Sequence, residues 1–180
     1  MRNFILSLAF FFACTSIHGQ TERPLKIGDS APDFSLPFAT QDSVGHGTIS
    51  LSHLVGNKNI ILAFYPADWS GGCTKEMCMM RDNFTALAEF KADIFGISGD
   101  YQFSHHEWAK YHHLPFTLLS DHSHSVAKLY GSYNGENGFN RRTVFLIDTK
   151  GKIAYLDLDY KAGDPNSFTK LQEAVARVPH

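Results

Sequence analysis

Short dense apolar runs alternate with longer amphipathic stretches along the chain, and that rhythm predicts its elements. Residues 59–65 read Asn-Ile-Ile-Leu-Ala-Phe-Tyr and stop at Pro66. A run of this length ended by proline is the pattern of a strand buried on both faces. After Thr74, apolar residues at Met77, Met80, Phe84, Leu87, Ala88 and Phe90 recur at mostly helical spacing. They predict a helix over 74–90 that begins beside Cys73. A second short strand is expected over 94–98, closed by Gly99-Asp100, then a helix over 103–111 and a strand over 115–119. A short helix over 125–130 ends at Gly131. Residues 142–147 and 153–158 flank Asp148-Thr149-Lys150-Gly151 as a hairpin, and 167–177 predict a last helix. The stretch 41–48, with Asp42, Ser43, Gly45 and Gly47, reads as a surface turn.

Alternating strands and helices make an α/β layout. Right-handed crossovers put the early strands parallel with helices on both faces, and the closing hairpin adds an antiparallel element. A thioredoxin-like fold with a central mixed sheet is the economical arrangement. No repeat or second linker interrupts it, so one domain over residues 25–180 is expected.

The first residues differ in kind. Arg2 precedes an apolar run over residues 4–13 broken only by Ser7, and small or polar residues follow to Gly19 and Gln20. A bilayer-spanning helix takes about 20 apolar residues, so this shorter run reads as a signal peptide over 1–19. The expected location is therefore exported, periplasmic or secreted. An uncleaved anchor is one alternative. A lipid anchor through Cys14 is another, because Ala13 places a small residue before it.

Charge narrows the partners. The chain has 180 residues, a formal net charge of −2, 43% hydrophobic and 19% charged residues, with acids and bases interspersed. That is globular composition without the clustered basic face that nucleic acid or an anionic membrane needs. No nucleic acid and no stable membrane partner are expected, and a small, weakly charged substrate fits better than a polyanion.

The candidate chemistry sits at one junction. Of three cysteines, Cys14 falls in the leader, leaving Cys73 and Cys78 as a pair five positions apart. Cys73 lies where a buried strand gives way to a helix. In parallel sheets, sites gather at the carboxyl ends of the strands, and a helix N-terminus favours an anion. Both conditions favour the thiolate, which is the nucleophilic form. Ser70, three residues earlier, can hydrogen-bond the sulfur or a bound oxygen, while Gly71 and Gly72 leave room beside it.

Pro66-x-x-x-Ser70-x-x-Cys73 resembles the peroxiredoxin active-site motif. The following Thr74-Lys75-Glu76-Met77-Cys78 is similar to the bacterioferritin-comigratory, or PrxQ-type, branch, whose resolving cysteine lies five residues on. Gly28-Asp29-x-Ala31-Pro32-x-Phe34 resembles the family's opening. Leu114-Pro115-Phe116-x-Leu118-Leu119-Ser120-Asp121, Lys128-x-Tyr130-Gly131 and Arg142-x-x-Phe145-Leu146-Ile147-Asp148-x-x-Gly151 follow in family order. Gly71 departs from the pattern, since that branch usually has proline there. The resemblance implies a thiol peroxidase in which Cys73 attacks the peroxide, becomes a sulfenic acid and is resolved by Cys78 as a disulfide. It also implies that Arg142 and Ser70 hold the reacting atoms, that Pro66 walls the pocket, and that a thioredoxin-like dithiol recycles the enzyme. Monomer and dimer both remain open.

Plainer readings stand beside these. Two buried cysteines can be core residues, and Arg142 can be a solvated neighbour of Arg141. Glu76 is expected to support the helix's first turn rather than act as an acid. Trp69 is expected to be a loop aromatic on the pocket rim, and the hydroxyls of Thr74 and Ser98 to be structural. The ten histidines lack the tight Cys and His spacing of a structural metal site, so surface histidines, no metal and no cofactor are expected. A thiol–disulfide oxidoreductase or redox-sensing module of the same fold is the alternative function, although the former normally shows Cys-x-x-Cys. Ideal helical geometry separates residues five apart by roughly 8–9 Å at Cα. A disulfide needs about 4.4–6.8 Å, so its formation is expected to unwind the helix start.

Overall fold

The computed structural model of the chain describes residues 23–179; the predicted leader over 1–19 and Cys14 lie outside the described residues. Three two-residue strands come first, β1 (Ser35–Leu36), β2 (Phe38–Ala39) and β3 (Ile49–Ser50), followed by one helical turn, α1 (Leu51–Leu54). Then come β4 (Asn59–Phe64), α2 (Gly71–Asp82), α3 (Phe84–Glu89), β5 (Ala92–Ser98), α4 (Gln102–His112), β6 (Thr117–Ser120) and α5 (Ser125–Leu129). The chain closes with β7 (Tyr133–Asn134), β8 (Phe139–Asn140), β9 (Thr143–Ile147), β10 (Ile153–Asp157) and α6 (Pro165–Arg177).

Six strands form the central sheet in the order β10-β9-β4-β5-β6-β2. β4, β5 and β6 are parallel, whereas β9, β10 and β2 each run antiparallel to their neighbours. Every residue of β4 and β9 is buried, which is why these runs carry no polar alternation. Alternate residues of β4 feed two cores. Ile61 and Ala63, with Tyr65 beyond the strand end, pack with Met77, Met80, Trp108, Leu171 and Val175 from α2, α4 and α6. Ile60, Leu62 and Phe64 pack with Leu51, Val126, Ala127 and Tyr130 on the α1 and α5 face. Helices therefore cover both faces of a mixed sheet.

Helix ends follow from specific side chains. Asp164 caps α6 by accepting from the Asn166 and Ser167 N–H groups, with Pro165 in the first turn, where a missing N–H costs nothing. The single helix predicted over 74–90 is two helices. Asn83 interrupts it at φ −109°, ψ 11°, and its Nδ2 donates to the Met79 carbonyl at 2.9 Å. A short amide that competes with the backbone ends the first helix at a point that apolar spacing does not mark.

Candidate active site

The site grows from the loop between β4 and α2. Ser70 adopts extended backbone (φ −75°, ψ 140°) and caps α2, its Oγ accepting from the Cys73 N–H at 3.4 Å. The same hydroxyl donates to Cys73 Sγ at 2.7 Å. Cys73 thus stands in the first turn of α2, fully buried, at the positive end of the helix.

A second donor arrives from across the sheet. Arg142, just ahead of β9, directs Nη2 at Cys73 Sγ at 3.4 Å and Nη1 at Glu76 Oε2 at 2.6 Å. Gly72 makes that approach feasible, since a Cβ there would lie 2.7 Å from Nη2. At Gly71 a Cβ would meet nothing within 4 Å, so of the two glycines only Gly72 is demanded by packing around the sulfur. Burial opposes the charge on Arg142, but the attraction of Glu76 and Cys73 outweighs it and raises the guanidinium above its usual value.

Glu76 corrects the sequence reading. Expected to support the first turn of the helix, it lies beyond that turn, six residues past the Ser70 cap, and its side chain is fully buried facing Arg142. Burial pushes its carboxyl up to about 7 even though Arg142 pulls the other way. Its Oε1 is a buried atom without a hydrogen-bond partner, as is the hydroxyl of Tyr160. The buried positions of α2 are Cys73, Glu76, Met77 and Met80, so Glu76 occupies a core position of the helical period. That polar residue in an apolar register was the available signal.

The other expected residues are placed as follows. Pro66 opens the loop and is partly buried. Cys78 is partly buried on the same continuous helix as Cys73, and both are free thiols. Trp69 is 53% exposed, with its ring 5.7 Å from that of Tyr111 and 6.3 Å from that of His112. Ser98 Oγ donates to Asp100 Oδ2 at 2.7 Å, a structural bond.

The expectation of surface histidines fails at His105, which is fully buried against the Asp68 carboxylate, Nδ1 lying 2.9 Å from Oδ2. A partner 37 residues away makes that burial tolerable, and local spacing cannot reveal it. His106, His112 and His124 are partly buried, while His113 and His122 are exposed. Among the described residues no group of three or more His, Cys, Asp or Glu side chains gathers that could hold a metal ion. No described helix is long and apolar enough to cross a membrane.

Two donors meet on one sulfur, and the Arg142 guanidinium has N–H groups that can meet charge developing on a bound oxygen. Known proteins are similar to the chain over most of its length. Residues 27–156 match the AhpC/TSA family. Peroxiredoxin Q of wheat is 40% identical over 130 residues, which cover 72% of this chain and 57% of the relative. Peroxiredoxin Bcp of Bacillus subtilis is 38% identical over 136 residues, covering 72% of this chain and 82% of the relative. Among solved structures, the peroxidoxin BcpB of Mycobacterium tuberculosis superposes with a TM-score of 0.75 at 31% identity, over 87% of this chain and 99% of that one. By sequence, fold and the order of its motifs, the chain belongs to the AhpC/TSA family, within its peroxiredoxin Q and Bcp branch.

Proposed function

We propose that the chain is a thiol peroxidase that reduces hydrogen peroxide or organic hydroperoxides with Cys73 as nucleophile. The carrying observation is the pair of donors, Ser70 Oγ and Arg142 Nη2, that meet on Cys73 Sγ in the first turn of α2. The thiolate attacks one peroxide oxygen, an S–O bond forms and the O–O bond breaks. The departing alkoxide or hydroxide takes up a proton and leaves as alcohol or water, and Cys73 becomes a sulfenic acid. Arg142 donors offset the charge on the separating oxygens, Ser70 holds the sulfur, and Pro66 limits water at the loop.

Cys78 then attacks the sulfenic sulfur, and water leaves as the intramolecular disulfide forms. A thioredoxin-like dithiol exchanges with that disulfide and restores both thiols. Because Cys73 and Cys78 lie on one unbroken helix, the disulfide form requires the start of α2 to unwind. Export completes the proposal, supported by the apolar run over residues 4–13 behind Arg2.

Peroxide consumption with excess dithiothreitol, beside Cys73→Ser and Cys78→Ser, tests the catalytic reading. Turnover by the wild type and none by Cys73→Ser is expected. Cys78→Ser is expected to fail with thioredoxin and recover with the small thiol. A wild type that cycles between dithiol and disulfide but consumes no peroxide sinks the proposal. An intact mass that retains residues 1–19, in protein from its native cells, refutes export.

A further inference from the structure

Beneath the loop that carries Ser70 lies a buried polar cluster that the peroxidase chemistry leaves without a role. The Asp68 carboxylate is fully buried. It accepts from Tyr65 Oη at 2.8 Å, from Ser104 Oγ at 2.8 Å, and from His105 Nδ1 at 2.9 and 3.1 Å. The backbone of the same residue is tied as well. Its N–H donates to Asp100 Oδ2 at 2.9 Å, an oxygen also held by Ser98 Oγ, and its carbonyl accepts from the Ser70 N–H at 2.8 Å. Asp68 is thus fixed through its side chain, its amide and its carbonyl, to β4's end, β5's end and α4 at once.

His105 is matched to this task. Its Nδ1 faces a carboxylate and its Nε2 lies 3.2 Å from the Leu119 carbonyl, so both ring nitrogens face acceptors. Each ring nitrogen therefore has a polar partner, and Tyr65 and Ser104 also meet the Asp68 carboxylate, so the cluster is closed on itself inside the fold.

What the anchor holds in place is strained. Trp69, between Asp68 and Ser70, has φ +61°, a conformation uncommon for a bulky residue. The bond from the Ser70 N–H to the Asp68 carbonyl closes a three-residue turn around it, and turns of that hand are rare and strained. Such strain persists only where the flanking structure over-determines it. On one side stands the Asp68 cluster, and on the other the α2 cap.

From these contacts we infer that the buried Asp68–His105 pair is a positioning device for the reaction, acting through the strained turn at Trp69 to hold the Ser70 hydroxyl on Cys73 Sγ. Neither residue touches the peroxide. The inference rests on the peroxidase reading, which the wild type's own peroxide turnover tests separately.

The experiment measures the second-order rate of Cys73 oxidation by hydrogen peroxide in rapid-mixing assays, on the full chain. Wild type, Asp68→Asn, Ser70→Ala and the double variant form a cycle. Asp68→Asn is expected to slow oxidation about tenfold, and to add less than about twofold in the Ser70→Ala background, since its effect runs through Ser70. Full independent multiplication of the two effects overturns the inference. So does a folded Asp68→Asn protein that oxidises at the wild-type rate and has lost only thermal stability. Should Asp68→Asn fail to fold, Ser104→Ala removes one donor to the same carboxylate and is expected to slow oxidation about threefold; an unchanged rate there counts against the proposal.

Discussion

Glu76→Gln isolates what it costs to keep a carboxyl under Arg142. The group is fully buried, with Oε2 bound to Arg142 and Oε1 without a partner. Burial carries it from 4.5 to about 7. The folded protein therefore holds this proton more tightly than the unfolded chain does, and the sign follows. Stability from this group is fully present below 4.5 and is lost as the pH rises through about 7. At about 1.4 kcal/mol per pH unit the whole interval corresponds to about 3 kcal/mol, most of it lost between about pH 5 and about pH 8. Glutamine keeps the shape and cannot ionise, so the loss disappears in the variant. Urea unfolding of the reduced protein across that range reads the difference directly. The variant is expected to gain about 2–3 kcal/mol on the wild type by about pH 8, or about 5–10 °C in Tm for a domain of this size. Parallel stability curves for the two proteins would falsify the reasoning, because the carboxyl would then not titrate differently in the folded state.

Other substitutions probe the same site from its edges. Gly72→Ala places a Cβ against Arg142 Nη2, so peroxide oxidation of Cys73 is expected to slow by about 10–100-fold in stopped-flow mixing. An unchanged rate means that Arg142 moves aside at no cost. Arg142→Lys keeps the charge but cannot bridge Glu76 and Cys73 with two donors, and a comparable slowing is expected. Gly71→Pro fills open space at the first helical position and is expected to add about 0.4–1 kcal/mol in denaturant melts. A lower midpoint contradicts the assignment of that residue to an unstrained helix start. Amide exchange over residues 73–80 is expected to be faster in the disulfide form than in the dithiol form, and equal protection rules out the unwinding of α2.

The sequence announces elements that are stabilised locally and hides contacts made at a distance. β4 is legible because every residue of the strand is buried, which leaves an unbroken apolar run after Asn59. Ser70 and Cys73 are legible because the N-cap and third helical position are three residues apart by geometry, whatever the fold. The strands β1, β2 and β3 are too short to show any period. His105 looks like a surface residue because its partner Asp68 lies 37 positions away, and Glu76, although it stands in the apolar register of α2, is explained only by Arg142, 66 positions on. A buried charge becomes intelligible only once the counter-charge is in place.

The borders of the central sheet bear on how the protein behaves in a crowd. At one border β2 offers just two residues. At the other, the start of β10 is covered, since Gly28 and Asp29 exchange bonds with Ile153 and Ser30 bridges Lys152. The register shift between Ile153 and Tyr155 bends what remains. A foreign strand seeking a straight, unpaired ladder finds little purchase at either border. The backbone most adhesive to a neighbouring chain is thereby kept short at one border and covered or bent at the other.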